Sequence, residues 1–438
     1  MRIIVLVLLL FFIAVIVNGT LAVRFDDKDV FEQYNVLFDA DPNTRLPGFT
    51  GGKNGAGRTL VHPNLSNIVY PPVLLASKIL SLFGFPENGL DARRFTALMV
   101  TPAVSGISAG VLFFTGVVLG LGLLRSFLLG LLLLASFSQL VFGSIPDHFA
   151  LGGLGIALTM LCVAMEARGR PPPVLVWVAV GWFAASITIT NILLVASAYG
   201  VCCLKRLSLS RTAVRAIAMG LSSIVLVFVF KGSVDMVFGH GGAPITSDQV
   251  ETTREFSGAY LDPEPLRKLV KYPAAIGQAI MPGTIVQREI EIRPRWSESI
   301  KERMRNARYQ HMFVVPDRYS EAKFPRLILG LCGLVLLVYL VIGAIRYWRD
   351  RDDPRALVAA SSLTILVING LFHGLWGNEY FLYSQHWLAA SLVPLALLCS
   401  SDRIRWSVST TLISLIVAAA ILVNTYWISH LFNALELI

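Results

Sequence analysis

The sequence predicts an all-α integral membrane protein of about eleven transmembrane helices, with interfacial helices in its first outer loop. Three observations carry that prediction. Of 438 residues, 55% are hydrophobic and 15% charged, with a mean hydropathy of +0.66, more apolar surface than one water-soluble core hides. The apolar residues gather into runs of about 17 to 25, the length a helix needs to cross roughly 30 Å of hydrocarbon while satisfying its own backbone. The short alternating segments of a membrane β-barrel do not occur.

In chain order, the first span covers Ile3 to about Val23. It reads as a retained helix rather than a signal peptide, because the apolar stretch continues past Val17 and only Ala22 resembles a cleavage site. A polar segment, 24–94, follows. Within it the semi-apolar stretch Ile68 to Phe85, with Pro71 and Pro72 near its start, is expected to lie at the membrane interface. Further spans are expected at about 95–120, 126–143, 148–166, 173–187, 189–204, 213–231, 325–346, 356–374, 380–399 and 406–430. The region 173–204 has the length of one tilted helix or two short ones; two are expected.

Charge sets the orientation. Arg125, Arg170, Lys205, Arg206, the run Arg346 to Arg355, Arg403 and Arg405 all fall on one side when the N-terminus is cytoplasmic. The second polar segment, 232–324, then shares the outer side with 24–94; its own basic residues do not contradict this, since long loops translocate largely regardless of charge. Counting 68–85 as a span would invert everything downstream. The net charge of +9 is thus mostly a topology signal, and no Lys/Arg patch interleaved with aromatics points to nucleic acid. Cys162, Cys202, Cys203, Cys332 and Cys399 lie in or beside apolar runs as packing residues, without metal-ligand spacing.

Candidate chemistry begins in the first polar segment, which reads Asn35-Val-Leu-Phe-Asp39-Ala-Asp41-Pro42, continues to Arg45, and ends in His62-Pro63 before the semi-apolar stretch. Two carboxylates at i and i+2 beside a membrane suit a catalytic base or a cation site, although Asp before Pro is also a common turn starter. Asp147 and His148 follow Pro146, a pattern equally suited to starting a helix. Thr188, Thr190 and Asn191 break two apolar runs and suit helix–helix contacts as well as a site. The densest polar group runs from His373 to Trp387. On one helix, Glu379, Tyr383, His386 and Trp387 would share a face, pointing into the bundle rather than into lipid; an aromatic belt is the plainer reading.

This pattern, an N-terminal helix, an acidic first outer loop ending in His62-Pro63, an amphipathic stretch and then many spans, resembles the GT-C superfamily of polytopic membrane glycosyltransferases. The resemblance is best over the first hundred residues and is one of topology beyond them. It implies a GT-C-like architecture and transfer of a sugar from a polyprenyl-phosphate donor to a lipid, glycan or protein acceptor, with inversion, on the extracytoplasmic face of a bacterial inner membrane. It also implies an essential aspartate in the first outer loop as the base, here Asp39 or Asp41. Asp39 is favoured because it follows apolar Val36-Leu37-Phe38, whereas Pro42 ties Asp41 to a turn.

A departing phosphate needs cations or hydrogen-bond donors, and Arg45, Lys53, Arg58, His62 and the basic run Arg288 to Arg308 are the candidates in the outer segments. Asp147, His148, Glu379, Tyr383 and His386 complete the expected substrate-binding set. Asp39, Asp41 and Asp147 would ligate a divalent cation if one is used, although no spacing demands a metal. The alternative function is a transporter or flippase of lipid-linked sugars; against it stand the absence of internal repeats and of ionisable residues deep in the spans.

Overall fold

The computed structural model describes residues 1–28, 30–32, 40–51, 61–84, 92–238, 269–281, 291–292, 313–314, 323–375, 380–400 and 406–436. Among them regular structure is helical, apart from β1 (Glu291–Ile292) and β2 (Phe313–Val314), a two-residue antiparallel pair. Helices α1 (Arg2–Asp26), α2 (Pro42–Thr50) and α3 (Leu65–Leu82) precede α4 (Ala92–Leu98), which a turn at Met99 joins to α5 (Val100–Leu119). Then come α6 (Leu123–Ala135), α7 (Phe137–Phe142), α8 (Phe149–Ala167), α9 (Val174–Ile187), α10 (Asn191–Leu204) and α11 (Leu209–Phe238). The chain continues through α12 (Tyr272–Ile280), α13 (Lys323–Arg349), α14 (Pro354–Leu375), α15 (Gln385–Cys399) and α16 (Trp406–Glu436).

By length and composition, α1, α3, α4 with α5, α8, α11, α13, α14 and α16 are able to cross a membrane, and α6, α9, α10 and α15 are shorter apolar helices. The protein is therefore an all-α membrane protein. Helix α8 is its centre, packed against α5, α9, α14 and α15. On α5, Gly106 and Gly110 let α1 approach; a Cβ at Gly106 would lie 2.8 Å from the Phe11 backbone.

The region 173–204 is two helices, as expected, and they form an antiparallel hairpin. Trp177 near the start of α9 meets Tyr199 near the end of α10, with ring centroids 5.3 Å apart, and the turn lies between at Thr188–Thr190. Each helix has 14 residues, about 21 Å at 1.5 Å per residue.

The hairpin sorts the polar residues into two ends. At one end Arg206 pairs with Glu166, Lys205 with Asp352, and Arg346 with Asp353. Arg168 donates to Val118 O, Arg351 to Leu204 O and Arg355 to Ser400 O at the same end. The end of α1 lies at the other, where Phe25 stacks on Phe432 of α16 with centroids 4.9 Å apart. There Arg94 makes a two-pronged ion pair with Asp26, Nη2 to Oδ1 at 2.7 Å and Nε to Oδ2 at 3.1 Å. The chain leaving α1 thus returns at α4 to where it left. Between them, α3 packs chiefly on α2 and α4.

Helix α12 lies in the second polar segment, where the sequence signals no helix. Only nine residues long, it buries Tyr272, Ala275, Ile276, Ala279 and Ile280. Close approach to α13 requires Gly333, whose substitution would put a Cβ 1.9 Å from Pro273 O. Tyr272 Oη donates to Leu366 O at 2.9 Å, and Asn424 Nδ2 to Ile280 O at 2.9 Å.

Candidate functional site

The first polar segment folds back on the bundle through α2. Pro42 supplies the fixed φ that suits a first helical turn, and Asp41 is the residue before it, at the N-cap. Its backbone N–H donates to Asp147 Oδ2 at 3.1 Å. One turn later, Arg45 Nε stands 3.4 Å from Asp147 Oδ1. Asp147 itself sits in the loop between α7 and α8, where His148 donates to it twice, from its backbone N at 2.7 Å and its Nδ1 at 2.6 Å.

The hairpin tip brings a second contribution. Residues beside His62 bond to it directly: Ile189 N donates to Val61 O at 2.9 Å and Asn64 N to Ser186 O at 3.0 Å. His62 Nδ1 lies 2.7 Å from Ile187 O, a geometry that makes Nδ1 the protonated nitrogen. Thr188 Oγ1 is 3.3 Å from the same nitrogen. The His62 and His148 rings are 4.0 Å apart, and His148 and His386 are 6.0 Å apart.

These residues are almost wholly removed from solvent. Asp41, Arg45, Asp147, His148 and His386 are all buried, so the site holds two carboxylates and a guanidinium where polar groups are costly without partners. Burial alone would push the Asp147 carboxyl up. The charge and hydrogen bond of His148, and then the charge of Arg45, outweigh it and hold the group well below the usual carboxylate range. A carboxylate so stabilised is a weak proton acceptor, which makes Asp147 an anchor for Arg45 and His148 rather than a base.

The structure brings Asp41, Arg45, His62, Asp147, His148 and His386 together, from segments far apart in the chain. Tyr383 joins at the edge, 6.4 Å from His386 between ring centroids. Asp39, Lys53, Arg58, Glu379 and the basic residues of the run Arg288 to Arg308 lie outside the described residues. The helix expected across Tyr383 and His386 is not one continuous α-helix: Phe381–Tyr383 is a 3-10 turn and the α-helix begins at Gln385. Trp387 instead packs inward against Tyr272, 5.9 Å between centroids.

Two contributors were weakly marked in the sequence. His373 stacks on Tyr383 at 3.7 Å, a contact across two elements that no spacing reveals. Asn191, the first residue of α10, is buried with its Nδ2 lacking a hydrogen-bond partner, as is His386 Nε2. Among the described residues, no group of three His, Cys, Asp or Glu side chains is placed to hold a metal ion. Comparison with protein-family models and with curated proteins finds no match.

Proposed function

We propose that the protein is a GT-C-type glycosyltransferase that moves a sugar from a polyprenyl-phosphate donor to a lipid, glycan or protein acceptor on the extracytoplasmic face. The supporting observation is the assembly of Asp41, Arg45 and His62 from the first polar segment onto Asp147, His148 and His386, at the end of the bundle opposite the basic loops. In this reading the basic end is cytoplasmic, about eleven helices span the inner membrane, and α3 lies along its outer surface.

The chemistry asks little beyond a base and a cationic surround. The acceptor oxygen attacks the anomeric carbon, the bond from that carbon to the phosphate oxygen breaks, and the phosphate leaves with the electron pair. A carboxylate of the first segment, Asp39 or Asp41, takes the acceptor's proton, and attack opposite the leaving group inverts the centre. Arg45 and the histidines offer the positive charge and N–H donors that a departing phosphate needs.

The test is transfer from a polyprenyl-phosphate-linked sugar by the purified, reconstituted protein. Asp39→Asn or Asp41→Asn should lower it by orders of magnitude while the protein stays folded; full activity in both removes the reading. Movement of the intact donor across the bilayer without a new glycosidic bond would instead assign the chain as a transporter of lipid-linked sugars. Labelling of a cysteine placed at Asp350 from outside intact cells would overturn the orientation.

A further inference from the structure

Helix α12 brings the second polar segment against the bundle, and its first residue, Tyr272, is buried with its Oη donating to Leu366 O of α14 at 2.9 Å. Tyr380, shortly before α15, makes the same kind of bond one turn along: its Oη donates to Gly370 O at 3.1 Å. Residues i and i+4 share a helix face, so the two rings lie together on one side of α14, with centroids 4.8 Å apart. Glycines shape that side. A Cβ at Gly370 would stand 2.7 Å from Tyr272 Cε1, and one at Gly374 would stand 2.8 Å from Tyr380 Oη, so no side chain fits at either position without displacing a ring.

What these rings hold is the turn that carries Tyr383. Tyr380 precedes the 3-10 turn Phe381–Tyr383, and its carbonyl accepts from Tyr383 N at 3.2 Å. Tyr383 then lies flat on His373 of α14, centroids 3.7 Å apart and ring planes 10° apart, and 6.4 Å from His386. Just past His386, Trp387 meets Tyr272 at 5.9 Å. Asn369, also on α14, donates to His386 O at 3.4 Å. Tyr272 thus packs on residues at both ends of the stretch 380–387 that presents Tyr383 and His386 to the site. In a close-packed interior, displacing such a ring displaces its neighbours.

We propose that Tyr272 is a positioning residue of the candidate site, acting through Tyr380 and Trp387 on Tyr383, His373 and His386, and that the second polar segment takes part in the site by this route. The inference rests on the transferase reading for what the site does, but not for the positioning itself.

Nuclear magnetic resonance of the full chain in lipid nanodiscs, with 13C-labelled histidine, tests it, since protons held over the face of an aromatic ring resonate upfield. The His373 signal, assigned by its loss in His373→Asn, should lie upfield in wild type. It should move toward the position of an unstacked histidine in Tyr272→Ala and in the bulkier Tyr272→Leu, and stay in place in Tyr272→Phe, which keeps the ring. Trp177→Ala removes a buried ring at the opposite end, controls for general loosening, and should leave the signal unmoved. An unshifted wild-type signal, an unmoved signal in folded Tyr272→Ala or Tyr272→Leu, or an equal movement in Trp177→Ala overturns the proposal. Failure of both Tyr272→Ala and Tyr272→Leu to fold would make Tyr272 a folding residue and overturns it too. In sugar transfer, Tyr272→Leu should lower kcat about 100-fold with Tyr272→Phe near wild type; a wild-type kcat in Tyr272→Leu overturns the positioning. No transfer by wild type removes the transferase reading alone and leaves the histidine result standing.

Discussion

The two ends of the bundle both carry charge, yet they use it differently. At the basic end, Arg346 is mostly exposed where it meets Asp353, and Asp352 is almost fully exposed where it meets Lys205. At the other end, Asp147 and Arg45 are both buried and Asp147 is bonded by three different residues. Exposed pairs are screened and contribute at most about 1 kcal/mol each. A buried pair is different in kind, because removing one partner strands the other in a medium that cannot solvate it. Charge at the first end is thus largely shared with solvent, Glu166 beneath Arg206 being its buried exception, whereas charge at the second end holds a particular arrangement of segments.

The sharpest way to break this contrast is Asp147→Asn. It removes the buried carboxylate that faces Arg45 and accepts from His148 and from Asp41 N, and should cost about 3–5 kcal/mol of stability, read as thermal unfolding in detergent. An effect no larger than that of an exposed pair would show that the site end is not organised around this carboxylate.

Acid offers a graded version of the same change. The folded-state pKa of Asp147 is depressed, so its contribution is fully present above the unfolded value, about 3.9, and is lost as pH falls below that value toward the folded one. The gap between wild type and Asp147→Asn should consequently be present at about pH 5 and shrink below about pH 4. A gap that widened as pH fell below about 4 would contradict the assignment.

Asp26→Asn should fall between the extremes. Its partner Arg94 is one-third exposed, so loss of the two-pronged pair should cost about 1.5–3 kcal/mol in the same unfolding measurement, less solvent screening. Smallest of all, Arg346→Gln should shift stability by less than about 1 kcal/mol. A basic-end variant as damaging as Asp147→Asn would erase the distinction.

How far the sequence carried this picture follows from the range of the interactions. The span expected at 148–166 is the helix Phe149–Ala167, because hydropathy is local and the bilayer fixes its length. The two-helix reading of 173–204 was legible in the break at Thr188–Asn191. Helix α12 was not, since nine residues inside a polar segment make no hydropathy signal. For the site, Asp41, Arg45, His62, Asp147, His148 and His386 each stood out as polar residues beside apolar runs. Their convergence did not, because Asp41 and Asp147 are separated by 106 positions and His62 and Ile187 by 125. The single α-helix expected across Tyr383 and His386 is interrupted for a local reason, the 3-10 turn before Gln385, which helical spacing does not anticipate, although the two rings still lie 6.4 Å apart.

Helix α12 also constrains how the protein is made. At about 13 Å long it is too short to enter a bilayer by itself, and its anchors are synthesised later: Leu366 comes 94 residues after Tyr272, and Asn424 comes 144 residues after Ile280. At ordinary translation speeds the second delay is on the order of ten seconds. Complete docking of α12 therefore requires α14 and α16 to have been synthesised first. A nascent chain arrested before α16 would carry every span through α15 and still leave Ile280 without its Asn424 clasp.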